Sequence, residues 1–352
     1  MDNSQTTVFV GMSGGVDSSL SAALLKQQGY KVVGVYMKNW TEDLPGMICP
    51  WKDDLADAKR VAVQLNIPFR VFDFQTEYKK LVVDYMIDEY ERGRTPNPDI
   101  MCNQDVKFGI FYRAARSAGA DLIATGHYAR NFNNHLARSK NENKDQTYFL
   151  YRMSAESLAH TLFPIGDYKT KAAVRADAAK FGLATAQRPD SQGICFVGEV
   201  GVRDFLSNYV ETKPGNIVEQ ATGKVLGRHD GAIFYTFGQR HGLNVGGGLP
   251  YYVVGKSMEK NEIYVSKNLN STEFFRDKIT LVDVHWIREK PDPSHQLLAR
   301  FRHRGALIKC QIMSDQDVKI VIKTDDPQRA VAPGQSVVLY DGEICLGGGI
   351  VK

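Results

Sequence analysis

Cysteine is scarce and scattered: the chain of 352 residues has five, at 49, 102, 195, 310 and 345, and no two are closer than 35 residues. An odd number so widely spaced excludes a disulfide framework and a CxxC zinc or redox site, so any cysteine chemistry must come from residues that folding brings together. Long apolar runs are missing too. No stretch approaches the ~18 consecutive apolar residues of a membrane span, and MDNSQTTVFVGM lacks the basic segment and apolar stretch of a secretory leader. These absences describe a cytoplasmic protein with no membrane partner. Neither sign of charge dominates: 44 Lys and Arg against 40 Asp and Glu leave +4, which permits a nucleic-acid partner without arguing for one. Internal repeats and low-complexity tracts are absent, and 43% hydrophobic with 24% charged residues excludes collagen-like and largely disordered chains. At about twice a common domain length of ~150 residues, the chain has room for two or three domains.

What is present alternates. VFVGM, a glycine-rich turn and the apolar-periodic LSAALLKQQGY read as strand, loop and helix, with Gly29 as the helix stop. KVVGVYM (31–37) reads as a second strand. Leu55, Ala58, Ala62 and Leu65 then recur at helical spacing behind an N-cap at Asp53 or Asp54. PFRVFDF reads as a third strand, residues 75–93 and 104–118 as two more helices, and DLIATGHYA (121–129) as a fourth strand opening into a loop. Strands alternating with helices imply an α/β fold with a doubly wound parallel sheet, its ligand crevice at the carboxyl ends of the strands. Helical patterning returns at 154–160, 169–182 and 201–210. Beyond Pro214, KPGNIVEQATGKVLG and YYVVGKSMEKNEIYVSK read as hairpins. After about residue 271, KITLVDVHWI, QLLARFRHR, ALIKCQIM, DVKIVIKT and QSVVLYDGEICLGG alternate like the strands of a barrel or sandwich. The expected modules are 1–205, with a helical part at 160–190 placed to pack on the next module, then a small central domain over 206–270 and a β-barrel over 271–352.

The strongest local signal is Gly11-Met12-Ser13-Gly14-Gly15-Val16-Asp17-Ser18-Ser19. Glycines let backbone approach a phosphate, helix N-terminal amides point at it, and serine hydroxyls add donors. No lysine stands where GxxxxGK[ST] requires one, so the γ-phosphate clamp of a kinase or GTPase is missing. The segment resembles instead the PP-loop SGGxDS of ATP pyrophosphatases, which hold the β,γ-pyrophosphate as leaving group while AMP passes to an oxygen; Asp17 then becomes the expected holder of Mg²⁺. PYYVVGKS (250–257) misses the lysine-bearing pattern by one position and reads as a strand. A second constellation is Arg94-Thr95-Pro96-Asn97-Pro98-Asp99-Ile100-Met101-Cys102-Asn103, where two prolines read as a stiff loop before a helix at Gln104. A helix starting just after Cys102 would favour its thiolate, against the plainer reading of a buried, inert cysteine. Asp99 is an acid or base, or simply a turn former. The third is Asp190-Ser191-Gln192-Gly193-Ile194-Cys195-Phe196, again a cysteine behind glycine and polar residues; Cys49, Cys310 and Cys345 receive no role. His127 ends the fourth strand at the crevice edge. Arg300, Arg302 and Arg304 would share one face of a strand, and Lys144-Asp145-Gln146-Thr147-Tyr148 offers basic and aromatic groups of the kind that meet RNA.

Taken in order, GMSGGVDSS, RTPNPDIMCN, ATGHYAR, KDQTYFLYR, DSQGICF and PGQSVVLYDGEICLGGG resemble the bacterial tRNA-specific 2-thiouridylase family over residues 8–350. One departure is Ala124, where GTGHYAR is the expected pattern, and it touches nothing catalytic. The resemblance implies a PP-loop adenylation domain, a small central domain and a C-terminal β-barrel, with ATP and Mg²⁺ as cofactors. It implies as substrate the wobble uridine of the tRNAs for Lys, Glu and Gln, and a sulfur-carrier protein or cysteine desulfurase as sulfur donor to a monomeric enzyme. Carried over by motif, Cys102 is the nucleophile, Cys195 carries persulfide sulfur, the two close a transient disulfide, and Asp99 is the acid or base. Residues 11–18, Met37 and Gly126 meet ATP. Asn97, Pro98 and Asp99 meet the target base, while His127, Lys144, Asp145, Gln146, Arg302, His303 and Gln335 touch tRNA.

The chemistry fits these residue types independently. The uracil C2 oxygen cannot leave as oxide, so AMP transfer to it must come first; a persulfide then attacks C2, and a second thiolate cleaves the S–S bond. Two cysteines are the minimum. A disulfide needs Cα atoms roughly 4.4–6.8 Å apart, so at least one cysteine loop is expected to reorder when tRNA binds. Two other readings remain open on the residues alone: a PP-loop ligase of the argininosuccinate or GMP synthetase type, which needs no cysteine, and an ATP-gated RNA-binding protein without catalysis.

Overall fold

The glycine-rich segment leaves the middle strand of a five-stranded parallel sheet. The structure is a computed structural model that describes residues 3–43, 49–189, 201–246, 249–268, 275–316 and 318–352. Its first strands are β1 (Thr7–Gly11), β2 (Lys31–Lys38), β3 (Phe69–Asp73) and β4 (Leu122–Thr125), followed by a hairpin of β5 (Ala129–Phe132) and β6 (His135–Arg138) and by β7 (Thr161–Leu162). The sheet order is β3-β2-β1-β4-β7, all parallel. Val8, Phe9 and Val10 are at most 1% exposed, as the apolar run of a strand covered on both faces requires. The order reverses between β1 and β4, and such a switch point opens a crevice beyond the carboxyl ends. Helix α1 (Val16–Gln27) follows β1 and α2 (Trp51–Gln64) follows β2. Gly29, at φ +88, stops α1 as expected.

Several boundaries differ from the sequence reading, each for a local reason. Helix α2 starts at Trp51 with Pro50 as its cap, so Asp53 and Asp54 lie in its first turn, where carboxylates suit the dipole. The helix expected from Gln104 begins at Pro98. Proline suits a first helical position because the amide it lacks would have had no partner there. That helix runs through a π-helical stretch, Cys102–Phe111, into Tyr112–Ser117. A similar π stretch, Lys79–Asp84, lies inside the helical run from Gln75 to Glu91. The β5–β6 hairpin was missed altogether: Asn133 and Asn134 turn it with φ 51 and 61, as asparagine pairs do in tight hairpins.

The central domain has the two expected hairpins, β8 (Gly215–Glu219) with β9 (Val225–His229) and β10 (Tyr252–Ser257) with β11 (Glu262–Ser266). They join through parallel β8 and β11 around Ile217, Val253, Ile263 and Val265. PYYVVGKS contributes strand β10, as read.

The C-terminal strands are β12 (Phe275–Trp286), β13 (Leu297–Arg300), β14 (Ile308–Asp315), β15 (Lys319–Arg329), β16 (Ser336–Asp341) and β17 (Ile344–Val351). They pair in the order β12-β15-β14-β13-β16-β17 and close through β12 with β17, a barrel filled by Leu281, Leu297, Cys310, Ile320, Ile322 and Leu339. The strand read through QLLARFRHR ends at Arg300. Residues 302–305 turn, with the Gly305 amide bonded to the Arg302 carbonyl at 2.9 Å, so Arg300, Arg302 and Arg304 do not share a strand face. No helix among the described residues is long and apolar enough to cross a membrane.

Candidate active site

The loop between β1 and α1 is shaped to leave α1's first amides open. Gly15 caps the helix with extended backbone and no side-chain bond. The Ser18 hydroxyl accepts the Ser13 amide at 3.1 Å and donates to the Gly15 carbonyl at 3.2 Å, while Ser19 donates to the same carbonyl at 2.8 Å. Gly14, at φ +78, stands so close to α2 that a Cβ would lie 2.5 Å from the Asp54 carbonyl oxygen. Gly126 is packed as tightly: a Cβ there would lie 2.6 Å from the Ser18 amide nitrogen. The loop after β4 therefore presses on the first turn of α1. Met12 and Val16 are buried beneath the loop, and the Met37 thioether end lies beside Gly11.

Asp17, the expected Mg²⁺ holder, has other partners. Its two carboxylate oxygens accept from the Lys171 ammonium at 2.8 and 2.7 Å, and one of them also accepts from the Tyr128 hydroxyl at 2.9 Å. Among the described residues no cluster of three or more His, Cys, Asp or Glu side chains could hold a metal by itself. Arg188 donates to the Gly14 carbonyl at 3.0 Å and ion-pairs with Asp54 at 2.5 Å and with Asp57.

The second constellation is gripped from two sides. Gly93, at φ +77, packs on Met258 and Lys256 of the central domain. The Thr95 amide donates at 3.0 Å to the Pro333 carbonyl of the barrel, whose neighbour Gly334, at φ +90, would place a Cβ 2.8 Å from the Thr95 nitrogen. Cys102 is buried, one turn inside the helix that starts at Pro98, and its amide is spent on the Pro98 and Asp99 carbonyls. The expected geometry, a thiol just ahead of a helix start at Gln104, is thus corrected to a thiol in the early helix where a π stretch begins; π segments recur at functional sites. Asp99 is half-buried. Burial pushes its carboxyl above the ordinary range, and Lys107 pulls it partly back. Asn103 donates to the Asp99 carbonyl at 2.8 Å and its own Oδ1, fully shielded, has no partner among the described residues.

Lys107 also lies 3.5 Å from the His127 ring, which bonds Thr125 at 2.8 Å and packs on Phe108 and Phe163. Burial, and then Lys107, hold this imidazole well below its ordinary range, so it is neutral. A continuous path results: PP-loop, Gly126, His127, Lys107, and the helix that carries Asp99 and Cys102. Cys195, and with it the expected disulfide, lies outside the described residues.

Three domain models match in succession. Residues 6–199 match the tRNA methyl transferase HUP domain, 203–267 the tRNA methyl transferase PRC-barrel domain and 276–351 the aminomethyltransferase beta-barrel domain. A tRNA-specific 2-thiouridylase of Enterococcus faecalis is 45% identical over 99% of this chain and 96% of its own. Those of Bacillus mycoides and Geobacillus thermodenitrificans are 44% and 45% identical, each over 99% of this chain and 95% of theirs. The chain belongs to the tRNA-specific 2-thiouridylase family. Among solved structures, a 4-thiouridine synthetase bound to RNA and ATP is similar at a TM-score of 0.38 and 16% identity, over 58% of this chain and 50% of that one, too remote to bear on the site.

In this thiouridylase the residues expected to touch tRNA fall into two sets. Arg302 is exposed on the turn after β13, and Gln335 is half-buried in the barrel loop that presses on Thr95. His303, half-buried, packs on the Phe149 ring at 4.5 Å; burial and then Arg304 lower its imidazole to about 4, and its Nδ1 has no partner among the described residues. Asn97 caps the Pro98 helix and bonds the Tyr148 hydroxyl. Lys144 is half-buried in the same loop as Gln146, whose side chain and backbone hold the Tyr128 backbone at 2.9 Å. Asp145 differs from expectation: it is 1% exposed and ion-paired with buried Arg300 at 2.6 Å, locking the barrel to the first domain. His127 is likewise buried, at 8%. Burial raises the thiols of Cys49, Cys310 and Cys345, that of Cys310 to about 12, which keeps all three protonated. Lys107, Lys171 and Arg188 escaped the sequence reading because each meets the site through a partner distant in the chain.

Proposed function

We propose that this thiouridylase acts as a monomer in the cytoplasm on the wobble uridine of the tRNAs for Lys, Glu and Gln. It uses ATP to make 2-thiouridine, AMP and pyrophosphate. The observation that carries this reading is the path from the phosphate-binding loop to Asp99 and Cys102. It supports two chemistries on one bound base.

In the first step the uracil O2 attacks the α-phosphorus of ATP. The Pα–O bond to the β-phosphate breaks, its electron pair leaves with pyrophosphate, and Asp99, its carboxyl raised by burial, takes the N3 proton. Backbone amides of residues 13–16 and the serine hydroxyls receive the phosphates. Mg²⁺ fits this loop as a companion of ATP, because Asp17 offers a hard carboxylate donor in the first turn of α1. Asp17 would hold it, and the ion would neutralise phosphate charge. In the second step the terminal sulfur of a Cys195 persulfide, loaded by a sulfur-carrier protein or a cysteine desulfurase, attacks C2 and AMP leaves with O2. The Cys102 thiolate then attacks the Cys195 sulfur: the S–S bond breaks, the product keeps its sulfur, and a Cys102–Cys195 disulfide remains for an external thiol to reduce. Asn97, Pro98 and Asp99 border the base, with the unpartnered Asn103 Oδ1 available to a donor. Arg302, His303, Lys144 and Gln335 lie on the tRNA side; Asp145 and His127 serve from beneath.

The test is Cys102→Ser. It should still form AMP in a tRNA-dependent manner and release no 2-thiouridine. Full thiolation by that variant would refute the cysteine pair and favour a ligase, and tRNA binding with no pyrophosphate release by the wild type would favour the non-enzymatic reading.

A further inference from the structure

Residues of a barrel strand alternate between inside and outside, and on β12 and β15 the outward ones are cationic where the strands meet. Ile279, Leu281, Ile320 and Ile322 fill the interior. Lys278, Thr280 and Val282 of β12 therefore point outward and stand in register with Lys323, Val321 and Lys319 of β15. Lys278 is directly opposite Lys323, and both are exposed; like charges so placed work against the sheet. Arg276, two residues before Lys278, lines with it a cleft of about 450 Å³ whose other walls include Thr280, Val331 and Val351. We propose that this cationic face of the barrel is a phosphate-binding surface for a double-helical stem of the tRNA, outside the loop that borders the target base. The inference rests on the tRNA reading of the protein.

Nearby carboxylates do not neutralise the face. Asp283 pairs with Arg152 at 3.0 Å, Asp315 with Lys290 at 2.5 Å, and Asp325 accepts from Gln296 at 3.4 Å. Asp277 and Asp326 lie in the bulge that follows Arg276 and, among the described residues, form no ion pair with Arg276, Lys278 or Lys323. The spacing suits a polyanion. Lys319 and Lys323, four residues apart on one face of β15, are about 13 Å apart at the rise of a strand, too far for one phosphate group to bridge but suited to separate phosphates along one backbone. The chemistry favours a stem over a loop. The outward row of Lys278, Thr280, Val282, Lys319, Val321 and Lys323 has no aromatic ring on which an unpaired base could stack, so it offers charge alone, as A-form RNA requires. Its position fits as well. The Val351 amide donates to the Gln335 carbonyl at 2.8 Å, the Gly334 amide to the Val351 carbonyl at 2.9 Å and the Lys352 amide to the Thr280 carbonyl at 3.1 Å. The cleft thus shares a wall with the barrel loop that holds Thr95, and an RNA with its uridine at Asn97 to Asp99 runs past it.

Replacing both facing lysines, Lys278→Gln with Lys323→Gln in the full-length protein, removes two cations and leaves the ATP loop and the Cys102 helix untouched. Fluorescence-anisotropy titration with unmodified tRNA should show affinity weakened roughly 10-fold at low salt and the salt slope reduced by about two. MgATP affinity by calorimetry should equal that of the wild type, which also reports that the variant is folded. Lys323→Glu separates binding from stability: it sets a carboxylate opposite Lys278, so its Tm should match or exceed the wild type's while its tRNA affinity falls. Unchanged tRNA affinity and salt slope in both variants would overturn the inference. So would unchanged tRNA binding together with thiolation lost only when a carrier protein delivers the sulfur and kept with inorganic persulfide, a result that would assign the face to an acidic protein. A wild type that binds MgATP but no tRNA would overturn the tRNA reading, and this inference with it.

Discussion

At the scale of single residues, the site depends on charges whose partners lie far away in sequence. Asp99 is the clearest case. Its carboxyl is raised by burial more than Lys107 lowers it, so it is the base form that disappears first as the pH falls: activity should decline below a pH higher than an ordinary carboxylate would set. Asp99→Asn should cost about 10²- to 10⁴-fold in kcat and abolish that acid limb in a kcat against pH profile. The same raised value works against stability at neutral pH, because the folded chain holds its proton more tightly than the unfolded chain does. This group's contribution therefore grows as the pH falls, and Asp99→Asn should raise the Tm at neutral pH. Arg300 and Asp145 form the opposite kind of charge pair, buried between domains; Asp145→Ala leaves Arg300 unpaired and should cost about 3–5 kcal/mol in a denaturant titration. On the surface, Arg302→Ala should weaken tRNA binding and reduce its salt slope by about one, and an unchanged slope would place that turn away from the phosphates. Local signals in the sequence marked Cys102, Asp99 and the glycines of the loop, because their chemistry is local. Lys171 and Lys107 were not legible, since no periodicity connects a residue with a carboxylate on another element.

At the scale of elements, the parallel sheet, both central hairpins and the barrel strands follow from alternation and turn residues, whereas the order of the strands and the ends of elements near the site do not. Pro98 reads as a helix breaker until its amide-free nitrogen is placed at a helix start, where it costs nothing. The β5–β6 hairpin was concealed inside what looks like a single strand and its loop, because its four-residue strands are too short to show a period. Its role is positional: β6 joins β17 through Ala137 and Ile344 and so ties the parallel-sheet domain to the barrel. The loop at 93–97 is held by backbone contacts that only glycine permits. Gly334→Ala places a methyl against Thr95 in a left-handed conformation, so it should lower thiolation while leaving MgATP affinity as in the wild type, a split readable by calorimetry beside a turnover assay. Parallel loss of both would mean that the barrel loop supports the whole domain and not the base-binding loop.

At the scale of the whole molecule, three modules meet around one short loop. The central domain contributes Lys256 and Met258, the barrel contributes Pro333 and Gly334, and the first domain contributes the phosphate site and the cysteine helix. The buried pair of Arg300 and Asp145, together with Tyr148 and Tyr151 bonded to Ser336, makes the barrel part of the scaffold that holds the first domain. Neither net charge nor composition foretold this, because contacts between modules leave no periodic trace in the chain. The scarcity of cysteine, by contrast, was informative: Cys310 and Cys345 are held in barrel strands, Cys49 lies ahead of α2, and Cys102 alone of the described four shares a helix with Asp99. All three modules serve one reaction, ATP-dependent sulfur transfer to a tRNA uridine. The most direct measurement is incubation of the protein with ATP, Mg²⁺, a persulfide source and unmodified tRNA for Lys, Glu or Gln, followed by mass spectrometry of the wobble nucleoside. The expected product is a nucleoside in which one oxygen is replaced by sulfur, formed with AMP and pyrophosphate and only when ATP is present; an unchanged uridine in a reaction that consumes ATP would refute the sulfur transfer.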